Sequence, residues 1–215
     1  MSRLASVIHA LLTLGTVVAI TTTSIGSAAK EYPAYFLNND VSRVVGDRSV
    51  TRILNTDRRL WIGTQSGLFF YDGSRLRKAS SGNPNLHDFF RSHITDLVGP
   101  DENGSVWISS LNHGVIRYSS NNNGFDRPFI VDQSVLTVSL LIDRQGDLWV
   151  GTDHGVLVYA KDSYKNLTPL SLHRLRQESE NVSSLVEDEQ GKIWLSSEKG
   201  LTQYDPVTME SRPVC

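Results

Sequence analysis

Trp61, Trp107, Trp149 and Trp194 are all the tryptophans in this chain, and each stands at the same point of a recurring phrase. A turn and an apolar residue precede the indole, a corner of small residues follows it, and a tyrosine comes about ten residues later. The four copies are Leu60-Trp61-Ile62-Gly63-Thr64 with Tyr71, Val106-Trp107-Ile108-Ser109-Ser110 with Tyr118, Leu148-Trp149-Val150-Gly151-Thr152 with Tyr159, and Ile193-Trp194-Leu195-Ser196-Ser197 with Tyr204. The indoles are 46, 42 and 45 residues apart (107−61, 149−107, 194−149). A period in the low forties is that of one four-stranded blade, so the repeat predicts an all-β β-propeller of antiparallel four-stranded blades, with about four blades present.

Within each unit the apolar runs are about five residues long and show no helical period, which reads as an antiparallel meander. First strands are expected at Val50–Leu54, Ile94–Val98, Thr137–Ile142 and Val182–Val186. First turns follow at Asp101–Gly104, Asp143–Gly146 and Asp188–Gly191, where an aspartate can bond its own backbone and glycine accepts a positive φ. The first unit has Thr56-Asp57-Arg58-Arg59 with no glycine, so its turn must differ. Second turns carry Gly67, Gly114, Gly155 and Gly200, and Leu111-Asn112-His113 adds one residue to the second of these. An outer fourth strand is only weakly patterned, at Phe125–Val131 and Thr168–Leu172, and the chain reads as stopping within the outer part of its last blade. The indoles are expected to fill the wedges between blades, each with a tyrosine beside it whose hydroxyl reaches the wet edge.

Residues 1–29 are of another composition. Arg3 precedes an uncharged run from Leu4 to Ile20, and Ser27-Ala28-Ala29 fits a signal-peptidase site, predicting a signal peptide cleaved after Ala29 and a propeller domain over 30–215. The alternative is an inner-membrane anchor formed by residues 4–20, a length marginal for spanning a hydrocarbon core of about 30 Å. Export predicts a periplasmic or secreted protein. The one cysteine, Cys215, excludes an intrachain disulfide, and a net charge of −2 with scattered basic residues argues against a general nucleic-acid binder. Asn166 and Asn181 stand in glycosylation sequons, which matter only in a eukaryotic secretory pathway.

These units resemble the two-component regulator propeller repeat, roughly D-x-x-G-x-L-W-I-G-T-x-x-G-L-x-x-Y-D. Asp143-Arg-Gln-Gly-Asp-Leu-Trp-Val-Gly-Thr-Asp-His-Gly-Val-Leu-Val-Tyr159 follows it almost throughout, and Leu60 to Gly73 follows its second half. The other two units carry Ser-Ser in place of Gly-Thr. No Gly-His precedes each unit and no aspartate follows tryptophan, which separates the chain from WD repeats. The resemblance implies a bacterial periplasmic sensor module that binds a small molecule or oligosaccharide and serves a membrane-bound histidine kinase or diguanylate cyclase. Such propellers usually close with about seven blades. Four blades therefore imply a truncated or split N-terminal part, closure as a four-bladed ring, or self-association to complete the ring. The resemblance implies no cofactor, and no catalytic domain is expected in this chain.

Second-turn tips and the lead-ins to the first strands emerge at one end of a blade. That end collects Gln65-Ser66, Asn112-His113, Asp153-His154 and Glu198-Lys199, with Ser49, Arg91-Ser92-His93 and Asn181. Variable polar tips on a repeating frame are what a binding surface requires. His93, Asn112, His113, Asp153, His154, Glu198 and Lys199 are the candidate ligand-binding residues. One alternative is a protein-interaction propeller without a small-molecule ligand. A third reading is enzymatic: streptogramin lyases are propellers with somewhat similar repeats that use histidine as acid and base, and His113 and His154 lie at similar phase. No Ser-His-Asp order, metal-ligand spacing or phosphate loop accompanies them, and the Asp-x-x-Gly turns lack the third oxygen position of a calcium loop.

Overall fold

A computed structural model of the chain describes residues 49–128, 135–161, 170–171, 181–208 and 210–214, all within the unit Asp40–Cys215. The expected export segment, residues 1–29, lies outside the described residues, as does Asn166. Among the described residues, sixteen strands form four sheets of four antiparallel strands each, in simple meander order. The first comprises β1 (Val50–Asn55), β2 (Leu60–Thr64), β3 (Gly67–Tyr71) and β4 (Leu76–Lys78). The second comprises β5 (Ile94–Val98), β6 (Ser105–Ser110), β7 (Gly114–Ser119) and β8 (Gly124–Asp126). The third comprises β9 (Thr137–Ile142), β10 (Leu148–Thr152), β11 (Gly155–Tyr159) and β12 (Leu170–Ser171), and the fourth β13 (Val182–Glu187), β14 (Ile193–Ser197), β15 (Gly200–Asp205) and β16 (Glu210–Pro213). These are the four blades the repeat predicts.

The outer strands differ from expectation. β8 ends at Asp126, short of the run Phe125–Val131, and of the run Thr168–Leu172 only β12 is described. β4 and β16 carry too few apolar residues to announce themselves: only Leu76 of β4 is even half-buried, and all four residues of β16 are exposed. β16 pairs with β15 over Thr202–Pro213 and Asp205–Glu210, so the last blade is complete rather than cut within its outer part.

The first strands of successive blades pack side by side in chain order, β1 on β5, β5 on β9 and β9 on β13. Each first strand carries a register shift at its second residue, the positions of Thr51, Thr95, Val138 and Ser183. A bulge leaves that residue out of the ladder and re-aims its side chain. In the first two blades the freed hydroxyl crosses to the next blade: Thr51 Oγ1 donates to the Ile94 carbonyl at 2.6 Å and Thr95 Oγ1 to that of Thr137 at 2.9 Å. Ser183, exposed in the last blade, instead bonds the Ser196 carbonyl of its own sheet at 3.2 Å.

The core lies in the seams between blades. Trp61 packs among Ile94, Leu97, Val106 and Tyr118 of the second blade, and its ring centroid is 4.8 Å from that of Tyr118. Trp107 packs with Leu140, Val150 and Tyr159 of the third, and Trp149 with Val182, Leu185 and Tyr204 of the fourth. Burial pushes the Tyr159 phenol up to about 12. The tyrosines of the second, third and fourth repeats thus pack against the indole of the blade before them. The small-residue corner has the same origin: a Cβ on Gly63 would come within 2.7 Å of Ile94 Cγ2 across the seam, so a larger residue would push the blades apart. Trp194, with no later blade against it among the described residues, is only half-buried, and Val186 on the same sheet is 57% exposed. At the other end of the series Ile53 of β1 is 63% exposed.

Candidate functional site

In the second, third and fourth blades the turn between first and second strands holds the indole by its nitrogen. Asp143 Oδ1 accepts the amides of Gln145 and Asp147 at 3.0 and 2.8 Å, and Oδ2 accepts the Trp149 indole N–H at 2.8 Å. Asp101 does the same for Trp107 at 3.0 Å and Asp188 for Trp194 at 2.7 Å. The aspartate of Asp-x-x-Gly therefore caps its turn and locks the core residue six positions on. Sequence reasoning found this aspartate only as a turn former. The Trp194 indole bond is the main reason the Asp188 carboxyl sits below its ordinary value.

The opposite end of the blades carries the candidate ligand residues. Each second-turn tip is tied to the lead-in of its own first strand: Gln65 N to Ser49 O at 3.1 Å, Leu111 N to His93 O at 2.9 Å and Asp153 N to Leu136 O at 3.1 Å. Asn181 Nδ2 donates to Glu198 Oε1 at 3.3 Å. Thr64 and Thr152, the threonines of the Gly-Thr corners, hold their turns by donating to the carbonyls of Gly67 and Gly155 at 2.8 Å. His93, Asn112, His113, Asp153, His154, Glu198 and Lys199 thus stand at one end of the second, third and fourth blades. Asn112, His154, Glu198 and Lys199 are exposed, and His93, His113 and Asp153 are half-buried. Asp153 Oδ1 lies 2.8 Å from His154 Nδ1 and accepts the Leu136 amide at 2.9 Å. Desolvation works to raise the Asp153 pKa, but the bonds from His154 and Leu136 outweigh it and hold the carboxyl below its ordinary range. No hydrogen bond joins His113 to His154, the pair a lyase-like reading would need.

Near this end one buried carboxylate ties three blades together. Asp96, 8% exposed on β5, accepts Arg52 Nε of the first blade at 3.0 Å and its own neighbour Leu97 N at 2.9 Å. Its other oxygen accepts Leu140 N at 2.9 Å and Ser139 Oγ at 3.3 Å from the third. Full satisfaction is what permits burial of a charge here. Its only mark in the sequence is a lone acid in an apolar strand.

Among the described residues, cavities lie away from the turn-tip end. One of about 490 Å³ opens between the first and second blades beside Thr56–Arg59 and Asn123. One of about 210 Å³ lies between the first turns of the second and third blades, and one of about 770 Å³ runs along the outer strands of the fourth, beside Lys192, Asp205 and Arg212. Among the described residues no group of three or more His, Cys, Asp and Glu is placed to hold a metal ion, and no helix is long and apolar enough to cross a membrane.

Four meander sheets packed through indole-filled seams define the class, a β-propeller blade array. The model of the two-component regulator propeller family matches residues 130–154 and 177–199, in the third and fourth repeats. Among solved structures, the chain is similar to the extracellular domain of a B. thetaiotaomicron protein described as the one component system BT4673. That match has a TM-score of 0.61 at 22% identity and covers 77% of this chain and 22% of that one. The extracellular domain of the B. thetaiotaomicron protein described as the hybrid two component system BT3049 matches with a TM-score of 0.61 at 18% identity, over 78% of this chain and 23% of that one. Virginiamycin B lyase from Staphylococcus aureus matches with a TM-score of 0.58 at 12% identity, over 79% and 56%. At these identities the likeness is one of fold, and the chain spans less than a quarter of the two B. thetaiotaomicron domains. No curated protein matches it.

Proposed function

We propose that this chain is the exported input module of a bacterial signal-transduction system. It binds a small molecule or oligosaccharide on its turn-tip end and signals through a membrane-bound histidine kinase or diguanylate cyclase. Residues 1–29 serve as the export signal, cleaved after Ala29. The observation that carries this reading is the contrast between frame and tips. The indole, corner and tyrosine repeat in every blade, while the tips read Gln65-Ser66, Asn112-His113, Asp153-His154 and Glu198-Lys199. Asp96 and the crossing threonines fix the strands beneath those tips, so a ligand meets a preorganised surface. The family of the repeat and its likeness to extracellular domains support the same reading.

The test is thermal unfolding against a panel of mono- and oligosaccharides. A ligand that binds only the folded state at a hundredfold excess over its Kd adds about 2.7 kcal/mol. Joint replacement of His93, Asn112, His113 and His154 by Ala, with Asp153→Asn, abolishes the shift on this account; an undiminished shift refutes the turn-tip site. A second reading, a protein-interaction or self-completing propeller, is favoured by the half-buried Trp194 and exposed Val186 of the last blade. It predicts a co-purifying partner or a defined dimer by light scattering, with no ligand-dependent stabilisation.

A further inference from the structure

In three blades an aspartate takes the indole N–H; in the first it does not. The turn between β1 and β2 is one residue shorter and begins at Thr56, whose hydroxyl is engaged with the Arg59 carbonyl at 2.9 Å and amide at 3.3 Å. Trp61 is 1% exposed, yet its indole N–H meets no acceptor among the described residues. The N–H is not among the fully enclosed unpaired polar atoms, so it is open to an acceptor supplied by solvent or by a ligand. At this position Trp61 lines the cavity of about 490 Å³ between the first and second blades, a volume within the range of small-molecule sites.

The rest of the lining is matched to an anion. The Arg59 guanidinium lies 4.5 Å from the Phe70 ring centroid, 4.8 Å from that of Tyr118 and 5.6 Å from that of Trp61. It gives one hydrogen bond, to Asn123 Oδ1 at 2.6 Å, an oxygen that also accepts the Tyr118 hydroxyl at 2.6 Å. With its oxygen so occupied, Asn123 has its amide N–H groups for a further acceptor. No carboxylate among the described residues pairs with Arg59 or with Arg58 on the rim. Asp72, also in the lining, is spent within its own turn. Its Oδ1 accepts Ser74 N, Ser74 Oγ and Arg75 N, and its Oδ2 faces Arg77 Nε at 3.1 Å. The acid Asp57 stands exposed beside Arg58.

We propose that this cavity binds a carboxylate-bearing small molecule. The ligand's carboxylate completes on Trp61 the bond that Asp101, Asp143 and Asp188 supply in the other blades, and Arg59 balances its charge. A planar carboxylate suits the site because it is the group to which the other three indoles already donate, and because the guanidinium fork pairs with it in two parallel bonds. The site is at the opposite end of the blades from the turn tips and does not depend on them.

The test follows the four indole N–H resonances of the 15N-labelled full chain, assigned by single Trp→Phe variants, during titration with benzoate and with gluconate. The controls are benzyl alcohol, sorbitol and inorganic phosphate. The proposal expects the Trp61 resonance to move saturably with either carboxylate and the other three to stay in place. An unmoved Trp61 resonance, four that move alike, or an equal response to the neutral controls or to phosphate would overturn it. Arg59→Ala weakens the response at least tenfold, with the three other indoles reporting that the fold is kept. Where that variant loses its dispersed indole signals, grafting residues 143–147 in place of 56–59 decides instead. The internal aspartate then occupies the indole, and the carboxylate response disappears; a graft that folds and still responds refutes the proposal.

Discussion

The first blade and the three after it bury the same indole at the same phase but hold it differently. In the later blades one carboxylate closes the turn and takes the indole, so the turn and the seam are a single device. In the first blade a threonine closes the turn, an arginine lies over the aromatic cluster, and a cavity takes the place of the carboxylate. The comparison teaches that the hydrophobic half of the repeat sets the architecture, while its polar half can be released from structural duty. A propeller built of equivalent blades can spend one of them on recognition without losing a seam.

Predictions on this contrast run from packing to titration. Trp61→Ala and Trp149→Ala each remove a fully buried indole and are expected to cost about 3–5 kcal/mol in denaturant melts. Trp194→Ala, at a half-buried site, is expected to cost clearly less. A Trp61 cost as small as that of Trp194 would show that the first seam is not equivalent to the others. Next come the caps. Asp143→Ala abandons two amides and an indole and should lose about 2–3 kcal/mol, whereas Thr56→Ala should lose about 1 kcal/mol or less. Equal losses would erase the distinction between the two kinds of turn.

The smallest effect is the response to acid. The hydrogen bond from Lys192 holds Asp205 at about 2 against an ordinary 3.8, and the indole bond likewise lowers Asp188. A depressed folded-state pKa contributes stability that is fully present above the unfolded value and is lost as the pH falls through the folded one. The last blade should therefore lose this support from near 3.8 downward, through about 2 for Asp205. Thermal midpoints of Asp188→Asn and Asp205→Asn should converge on that of the parent chain as the pH is lowered across this window. A gap that persists unchanged would show that the carboxylates contribute nothing through their charge.

Much of this was legible from Trp61, Trp107, Trp149 and Trp194 alone, because a bulky residue at a blade's period admits few architectures. The inner strands were legible for the same reason: one apolar face repeats with each indole. The outer strands were not. β4 and β16 face solvent and need only backbone partners, so nothing in Leu76–Lys78 or Glu210–Pro213 constrains side-chain type. Which blade's tyrosine stands beside each indole was not legible either, since phase along the chain does not say which side of a seam a ring fills. For the first turn, the missing glycine marked Thr56–Arg59 as different. What the difference makes, an indole without a carboxylate beside a stacked arginine, depends on Tyr118, Phe70 and Asn123, which only the packed blades bring together.

The central claim is that three indoles rest on carboxylates and one does not. It is tested most directly by following the four indole N–H resonances of the ligand-free chain from neutrality down through the carboxylate range. The account predicts that the Trp194 resonance shifts as its partner Asp188 takes up a proton, while Trp61 stays flat until the chain unfolds. Four resonances titrating together, or a Trp61 resonance that leads the others, would contradict it.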